Sequence, residues 1–208
     1  MNIEANVRKV LEKLEKAGFE VAVVGGAVRD ILNGKKPSDW DLTTNAKPEE
    51  ILSLFQDAFY NNSFGTVGIP NDPKVEITTY RTEQGYTDRR HPDEVKWGKS
   101  LEEDVARRDF TINAIAIPFK EGAFVDEPID LFKGVEDFKD KLIRTVGDPD
   151  ERFREDALRM LRAVRFCVTL DFELEAKTKK AILDNADLIK NISGERIRDE
   201  IFKIVDSE

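Results

Sequence analysis

"VAVVGGAVRDILNGKKPSDWDLTT", residues 21–44, is the stretch whose reading decides the fold. A short apolar, β-branched run ends at Gly25-Gly26, which reads as a strand entering a turn. "AVRDILNG" reads as a helix that stops at Asn33-Gly34, and "DWDLTT" reads as a second strand. A strand that runs into paired glycines and then a helix suits a phosphate. Glycines let the backbone approach a ligand and take positive φ. The helix N-terminus presents N–H groups and partial positive charge to an anion. Arg29, one turn into the helix, adds a charge-assisted donor. The plain alternative is an ordinary tight turn, and the glycines alone do not separate the two.

Asp39 and Asp41 sharpen the choice. Residues i and i+2 of a strand point to one face, so the two carboxylates stand side by side. Adjacent carboxylates repel unless a cation sits between them. Hard oxygen ligands at this spacing suit Mg2+, which also takes phosphate oxygens and water. A solvent-exposed strand edge is the competing explanation. Glu76 in "KVEITTY" is a candidate third carboxylate on a neighbouring strand, facing away from Val75 and Ile77, and a simple outward-facing acid explains it equally well. Together these parts fit two-metal nucleotidyl transfer, in which no covalent nucleophile is needed.

Working outward, "IEANVRKVLEKLEKA" (3–17) spaces Ile3, Val7, Val10, Leu11 and Leu14 on one helical stripe, with Gly18 at its end. "KPEEILSLFQDA" predicts a helix with Pro48 in its first turn. "GTVGIP" and "KVEITTYR" predict two strands joined by a turn at "NDP". Residues 81–100 are polar and predict a mobile loop. "FTINAIAIPF" predicts a helical turn leading into a strand, with "GAFVDE" as its hairpin partner. From "DPDERFREDALRMLRAVRFCVTL" onward the signal is almost wholly helical.

Composition narrows the class. The 208 residues allow one large or two small domains, and 40% hydrophobic residues suffice for a real core. The net charge of −9 argues against a general nucleic-acid binder but leaves room for a local basic patch. The single cysteine, Cys167, forms no internal disulfide and fits a reducing cytosol. No apolar run has the length of a membrane span, and the N-terminus lacks a signal-peptide core, so a cytoplasmic protein is expected.

"GGAVRD" followed by "DWDL" resembles the opening motif of the class II (bacterial-type) tRNA nucleotidyltransferase and poly(A) polymerase family, within the polymerase-β-like superfamily. "RRDFTINAIA" (107–116) resembles its second motif, and "DLFKGVEDFKDKLIRTVGDP" (130–149) its link between head and neck. "RFREDALRMLRAVRF" (152–166) resembles the E-D-x-x-R nucleotide-selecting helix, and "ISGERIRDEIFKI" (192–204) the last neck motif. The resemblance implies an α+β fold, with a mixed-sheet head over 1–140 and an all-α neck over 141–208. It implies that Asp39 and Asp41 bind catalytic Mg2+, and that Gly25, Gly26 and Arg29 hold the nucleotide. It also implies that Arg108 contacts the nucleotide while Asp109 braces the site. Asp156 and Arg159 would read the base edge of CTP or ATP, with Arg162 and Arg165 lining the same site.

The residues of that helix agree with base reading. Asp156, Arg159 and Arg162 recur at i, i+3, i+6, while Ala157, Leu161, Val164 and Val168 would fall on the opposite face and pack inward. Asp accepts from an exocyclic amino group, which cytosine and adenine share, and Arg donates to ring nitrogen or carbonyl oxygen. A salt-bridged helix face is the bland alternative. His91 reads as a loop residue rather than a general base, Trp97 and Tyr86 as packing before substrate contact, and Cys167 as core.

The resemblance implies a Mg2+-dependent enzyme that adds C and A to the tRNA 3′ end from CTP and ATP. An A-adding enzyme or poly(A) polymerase of the same family is the nearest rival, and a non-catalytic nucleotide- or tRNA-binding module is the rival of another class. The loop "RTEQGYTDRRHPDEVKWGKSLEEDVA" looks full length, which favours CCA over CC-only addition. Fuller members of the family carry further helical domains after the neck. The chain is therefore expected to be a head-and-neck portion or a reduced variant.

Overall fold

Positive φ at Gly25 (+68°) turns the end of one strand directly into a helix, and the first unit of the protein is arranged about that point. The computed structural model describes residues 3–62, 65–70, 73–84, 94–98 and 100–206. The chain divides into two compact units: Met1–Thr82, Val95–Arg107 and Asn113–Leu131 make the first, and Glu83–Glu94, Arg108–Ile112 and Phe132–Glu208 the second.

In the first unit, α1 (Ala5–Lys16) buries Val7, Val10, Leu11 and Leu14, the stripe the spacing predicts. It stops at Gly18, φ +89°, where the Phe19 N–H reaches back to the Leu14 carbonyl at 3.1 Å. Then follow β1 (Val21–Val24), α2 (Gly25–Leu32), β2 (Asp39–Thr44) and α3 (Pro48–Leu54). Pro48 opens α3, and Glu50 caps it by accepting the Lys47 N–H at 2.7 Å. The sheet is completed by β3 (Phe59–Asn62), β4 (Thr66–Ile69), β5 (Lys74–Thr79), β8 (Ile115–Lys120), β9 (Ala123–Phe124) and β10 (Ile129–Asp130). Strand order is β10-β8-β1-β2-β5-β4-β3, with β9 on β8. The β2–β5 pair is parallel and the others antiparallel, so the sheet is mixed. All four residues of β1 are buried, as a central strand covered on both faces requires.

Residues 81–100 differ from the predicted loop at both ends. Arg81–Gln84 (β6) and Glu94–Trp97 (β7) pair as a two-stranded sheet. Residues 85–93, with Tyr86 and His91, lie outside the described residues. The Trp97 ring covers Gly65, where an added Cβ would meet it at 2.7 Å, so Trp97 packs as expected. A short helix, α4 (Leu101–Ala106), follows, capped by Ser100, whose Oγ accepts the Glu103 N–H. Thr111–Asn113 form a 3₁₀ turn before β8, matching the predicted helical turn into a strand.

The second unit holds α5 (Gly134–Lys139), β11 (Leu142–Ile143), α6 (Pro149–Glu155), α7 (Leu158–Leu170), β12 (Glu173–Leu174), α8 (Ala176–Asn185) and α9 (Gly194–Val205). Its Phe132–Glu208 part is mainly helical and carries a two-residue parallel ladder of β11 with β12. One core cluster joins Phe153, Ala157, Leu158, Met160, Ala181 and Ile192. Another joins Phe110, Ile112, Ile143, Ala163 and Phe166, with Phe110 edge-on to Phe166 at 5.7 Å.

Two expectations for the nucleotide-selecting helix are corrected. Asp156 is extended (φ −146°, ψ 105°) and separates α6 from α7, so it does not continue the stripe of Arg159 and Arg162. The inward face of α7 is Leu158, Arg159, Met160, Ala163 and Phe166, whereas Val164 and Val168 are 41% and 55% exposed. The break resets the helical phase, so a face counted from Asp156 comes out rotated. Among the described residues no helix is long and apolar enough to cross a membrane.

Candidate active site

The register of three strands assembles the acidic row. Val24 of β1 lies opposite Asp41 of β2, and Asp41 lies beside Glu76 of β5. Asp39 lies one pleat earlier on the same face, beside Lys74. Trp40, Val75 and Ile77 point the other way and are buried, so the alternation that places the acids outward is anchored by the core. Asp39 is exposed and Asp41 half-buried.

Gly25 completes this row. A Cβ on Gly25 would stand 2.8 Å from Oδ2 of Asp41, so the first turn of α2 lies directly against that carboxylate. The N-cap residue of α2, Val24, has no side chain that could cap it. The first turn of a helix presents N–H groups of the kind that hold an anion. A Cβ on Gly26 would sit 3.5 Å from Nη2 of Arg29. Arg29 donates through Nη1 to Oδ1 of Asn113, which fixes its guanidinium beside that turn.

Lys74 was not apparent as a site residue. Its Nζ lies 2.6 Å from Oε1 of Glu76. That bond, with Glu76's charge and then the more distant charges of Asp39 and Asp41, raises the Lys74 pKa above its ordinary value. Glu76 thus carries its own counter-charge. Among the described residues no group of three or more acidic, His or Cys side chains is placed to hold a metal ion. The donor set that fits Mg2+ is the Asp39–Asp41 pair: hard oxygens on one face, with the balance of the coordination left to phosphate and water.

The remaining predicted residues belong to the second unit. Arg108 and Asp109 open its short Arg108–Ile112 segment. Oδ2 of Asp109 accepts from Nε of Arg162 at 2.7 Å, which makes Asp109 a brace for that arginine. Asp156 and Arg159 do not pair with each other's side chains in the way a salt-bridged helix face requires. Asp156 takes the fork of Arg196, at 2.8 Å to Oδ2 and 3.3 Å to Oδ1. Arg159, only 8% exposed, donates to Glu155 and to the Arg152 carbonyl. Arg165 donates to Oε2 of Glu200 at 2.7 Å and lies against the Phe166 ring, 4.3 Å from its centroid. Asn113, Glu155, Arg196 and Glu200 were not singled out from the sequence. All four fall within motifs or beside them, and the i, i+4 spacing of Arg196 and Glu200 is the one signal that sets two of them on a common face.

Known proteins resemble the chain in sequence and in fold. The model of the poly A polymerase head domain matches residues 21–144. A second model, described as a probable RNA and SrmB-binding site of polymerase A, matches residues 171–208. The CCA-adding enzyme of Lactobacillus helveticus is 51% identical over 197 residues, covering 94% of this chain and 48% of that protein. The CCA-adding enzyme of Pediococcus pentosaceus is 50% identical over 202 residues, covering 96% and 50%. The chain spans about half the length of the curated relatives it matches. Among solved structures, the Bacillus stearothermophilus CCA-adding enzyme in complex with CTP aligns with a TM-score of 0.83 at 41% identity, over 95% of this chain and 47% of its own. The Thermotoga maritima CCA-adding enzyme complexed with tRNA-CCA aligns with a TM-score of 0.80 at 26% identity, over 99% and 48%.

Proposed function

The chain belongs to the poly A polymerase head-domain family, and on that premise we propose that it acts as a template-independent tRNA nucleotidyltransferase, adding C and A to the tRNA 3′ end from CTP and ATP. The observation that carries the reading is the close seating of Gly25 on Asp41. It sets an anion-binding helix start against a metal-binding carboxylate pair, the two things a nucleoside triphosphate needs. The CCA-adding activity named for the relatives supports the choice of reaction.

In this reaction the primer's 3′ oxygen bonds to the α-phosphorus of the incoming nucleotide. The bond from that phosphorus to the bridging oxygen breaks, pyrophosphate leaves, and the hydroxyl proton passes to water. The N–H groups of the Gly25-Gly26 turn and the Arg29 guanidinium hold the triphosphate. Asp39 and Asp41 would hold Mg2+, which when bound supplies, in two-metal form, a more acidic attacking hydroxyl and a neutralised leaving group. Glu76 flanks Asp41 and keeps Lys74 in the row. Arg108 contacts the nucleotide. Asp156 accepts the exocyclic amino group that C and A share, Arg159 donates to the ring edge, and Arg162 and Arg165 line that site. The length of the 81–106 segment favours completion of CCA over stopping at CC.

Incubating the chain with Mg2+, each nucleotide separately and tRNA lacking its CCA end tests the proposal. Addition from CTP, and from ATP on a primer ending in CC, is expected. Long A-tracts would favour poly(A) polymerase, and absence of any incorporation would favour a binding module.

A further inference from the structure

Asp156 lies in no helix, so the regular backbone of α7 does not aim its side chain. Two contacts do. Oδ1 accepts the Leu158 N–H at 3.1 Å, and the Arg196 fork spans both oxygens. A carboxylate offers roughly four acceptor positions. The Leu158 N–H and Nη1 of Arg196 occupy two on Oδ1, and Nη2 of Arg196 occupies one on Oδ2. The position left over is on Oδ2, and its direction is set by the plane of the Arg196 guanidinium.

One turn further along the same face of α9, Glu200 is 3% exposed. It accepts from Arg165 at 2.7 Å and from Lys203 at 3.0 Å, and Nη1 of Arg162 lies 3.9 Å away. Arg196 and Glu200 are four residues apart, so one stripe of α9 meets Asp156, Arg162 and Arg165. The stretch "ISGERIRDEIFKI" contains both.

We infer that Arg196 is a specificity-positioning residue: by clamping both oxygens of Asp156 it leaves one acceptor aimed at a single amino hydrogen of the incoming base. The inference rests on the proposed reading of Asp156 as the base reader. It adds that selectivity for an amino-bearing base depends on a residue of α9 that has no need to touch the nucleotide. A lysine at 196 keeps the charge but loses the fork, so Asp156 no longer holds its acceptor on the amino hydrogen.

The test is nucleotide binding rather than turnover, so no primer is required. Dissociation constants for CTP and UTP, with Mg2+, are measured by titration calorimetry for the unaltered chain, Arg196→Lys, Arg196→Ala and Asp156→Asn. The unaltered chain is expected to prefer CTP, and Arg196→Lys and Asp156→Asn are each expected to lose at least about fivefold of that preference. In Arg196→Lys the loss comes mainly from weaker CTP binding. Arg196→Ala, where it stays folded by circular dichroism, loses at least as much as Arg196→Lys. If Arg196→Lys keeps the full preference, or weakens both nucleotides equally, while Asp156→Asn loses it, Arg196 only pins α9 and the inference is overturned with the base reader intact. If Asp156→Asn also keeps the preference, or the unaltered chain has none, the base-reader assignment falls and takes the inference with it.

Discussion

Gly25 and Asp41 are in van der Waals register: a methyl group on Gly25 would come 2.8 Å from the Asp41 Oδ2 atom, and Gly25 holds φ +68°. Any side chain at 25 meets both constraints. Gly25→Ala is expected to cost roughly 1–2 kcal/mol of backbone strain, a fall in melting temperature of about 2–8 °C. Displacement of the Asp41 carboxylate is expected to reduce nucleotide incorporation by about 100-fold. Melting curves and CTP incorporation on the same preparation check this. A variant with lowered stability but full activity would show that the Gly25–Asp41 contact has no part in the chemistry.

Lys74 brings positive charge to the acidic row. Its ammonium is bonded to Glu76 and draws its raised pKa chiefly from that carboxylate, with contributions from Asp39 and Asp41. Lys74 is exposed and Glu76 half-buried, so Lys74→Gln is expected to change stability by less than about 1 kcal/mol. Removing the positive charge should lower the Mg2+ concentration for half-maximal incorporation by about two- to fivefold. A rise in that concentration would mean that Lys74 holds the triphosphate instead.

Glu200 ties α9 to Arg162 and Arg165 of α7 and pairs with Lys203 of its own helix. Burial pushes its pKa up, but the Lys203 hydrogen bond and the charges of Arg165 and Arg162 outweigh this and hold the carboxyl below its ordinary value of 4.5. A carboxyl depressed in the folded state stabilises above its unfolded pKa, and that stability is lost as pH falls through the folded value. Glu200→Gln is therefore expected to cost about 1–3 kcal/mol near neutral pH. The difference from the unaltered chain should shrink well below pH 4.5. Urea unfolding at the two conditions measures it, and a constant difference would contradict the ionic role.

The parts of the fold legible in the sequence are those where local pattern and tertiary burial agree. The apolar run before Gly25, the D-x-D alternation with buried Trp40 and Leu42, and the Val7–Leu14 stripe are of this kind. The α6–α7 break was hidden because no Pro or Gly marks it. "DERFREDALRMLRAVRF" keeps a helical period through Asp156, and the break is seen only with the Arg196 contact and the burial of Phe153 and Leu158. β3 and α4 are too short for periodicity to register. α4 carries a fully buried Asp104, satisfied by Arg107 at 2.7 Å and by Thr43 at 3.1 Å, and Thr43 lies beyond any local window. Lys74 at Glu76 needed the strand register, and Arg196 and Glu200 needed the packing of α9.

The rotated face of α7 has its own consequence for stability. Val168 is 55% exposed and Phe166 is 4% exposed in a core cluster. Val168→Ser is expected to stay within about 0.5 kcal/mol of the unaltered chain, and Phe166→Ala to cost about 3–5 kcal/mol. Denaturant midpoints for the two variants check the assignment, and a large loss at Val168 would restore the face counted from Asp156.

The most direct measurement is CTP incorporation into tRNA lacking its CCA end, with Mg2+, by the unaltered chain and by Asp39→Ala and Asp41→Ala. Addition by the unaltered chain and a loss of at least ~100-fold in each variant are expected, with circular dichroism unchanged. Undiminished incorporation by both folded variants would contradict the metal-binding role of Asp39 and Asp41.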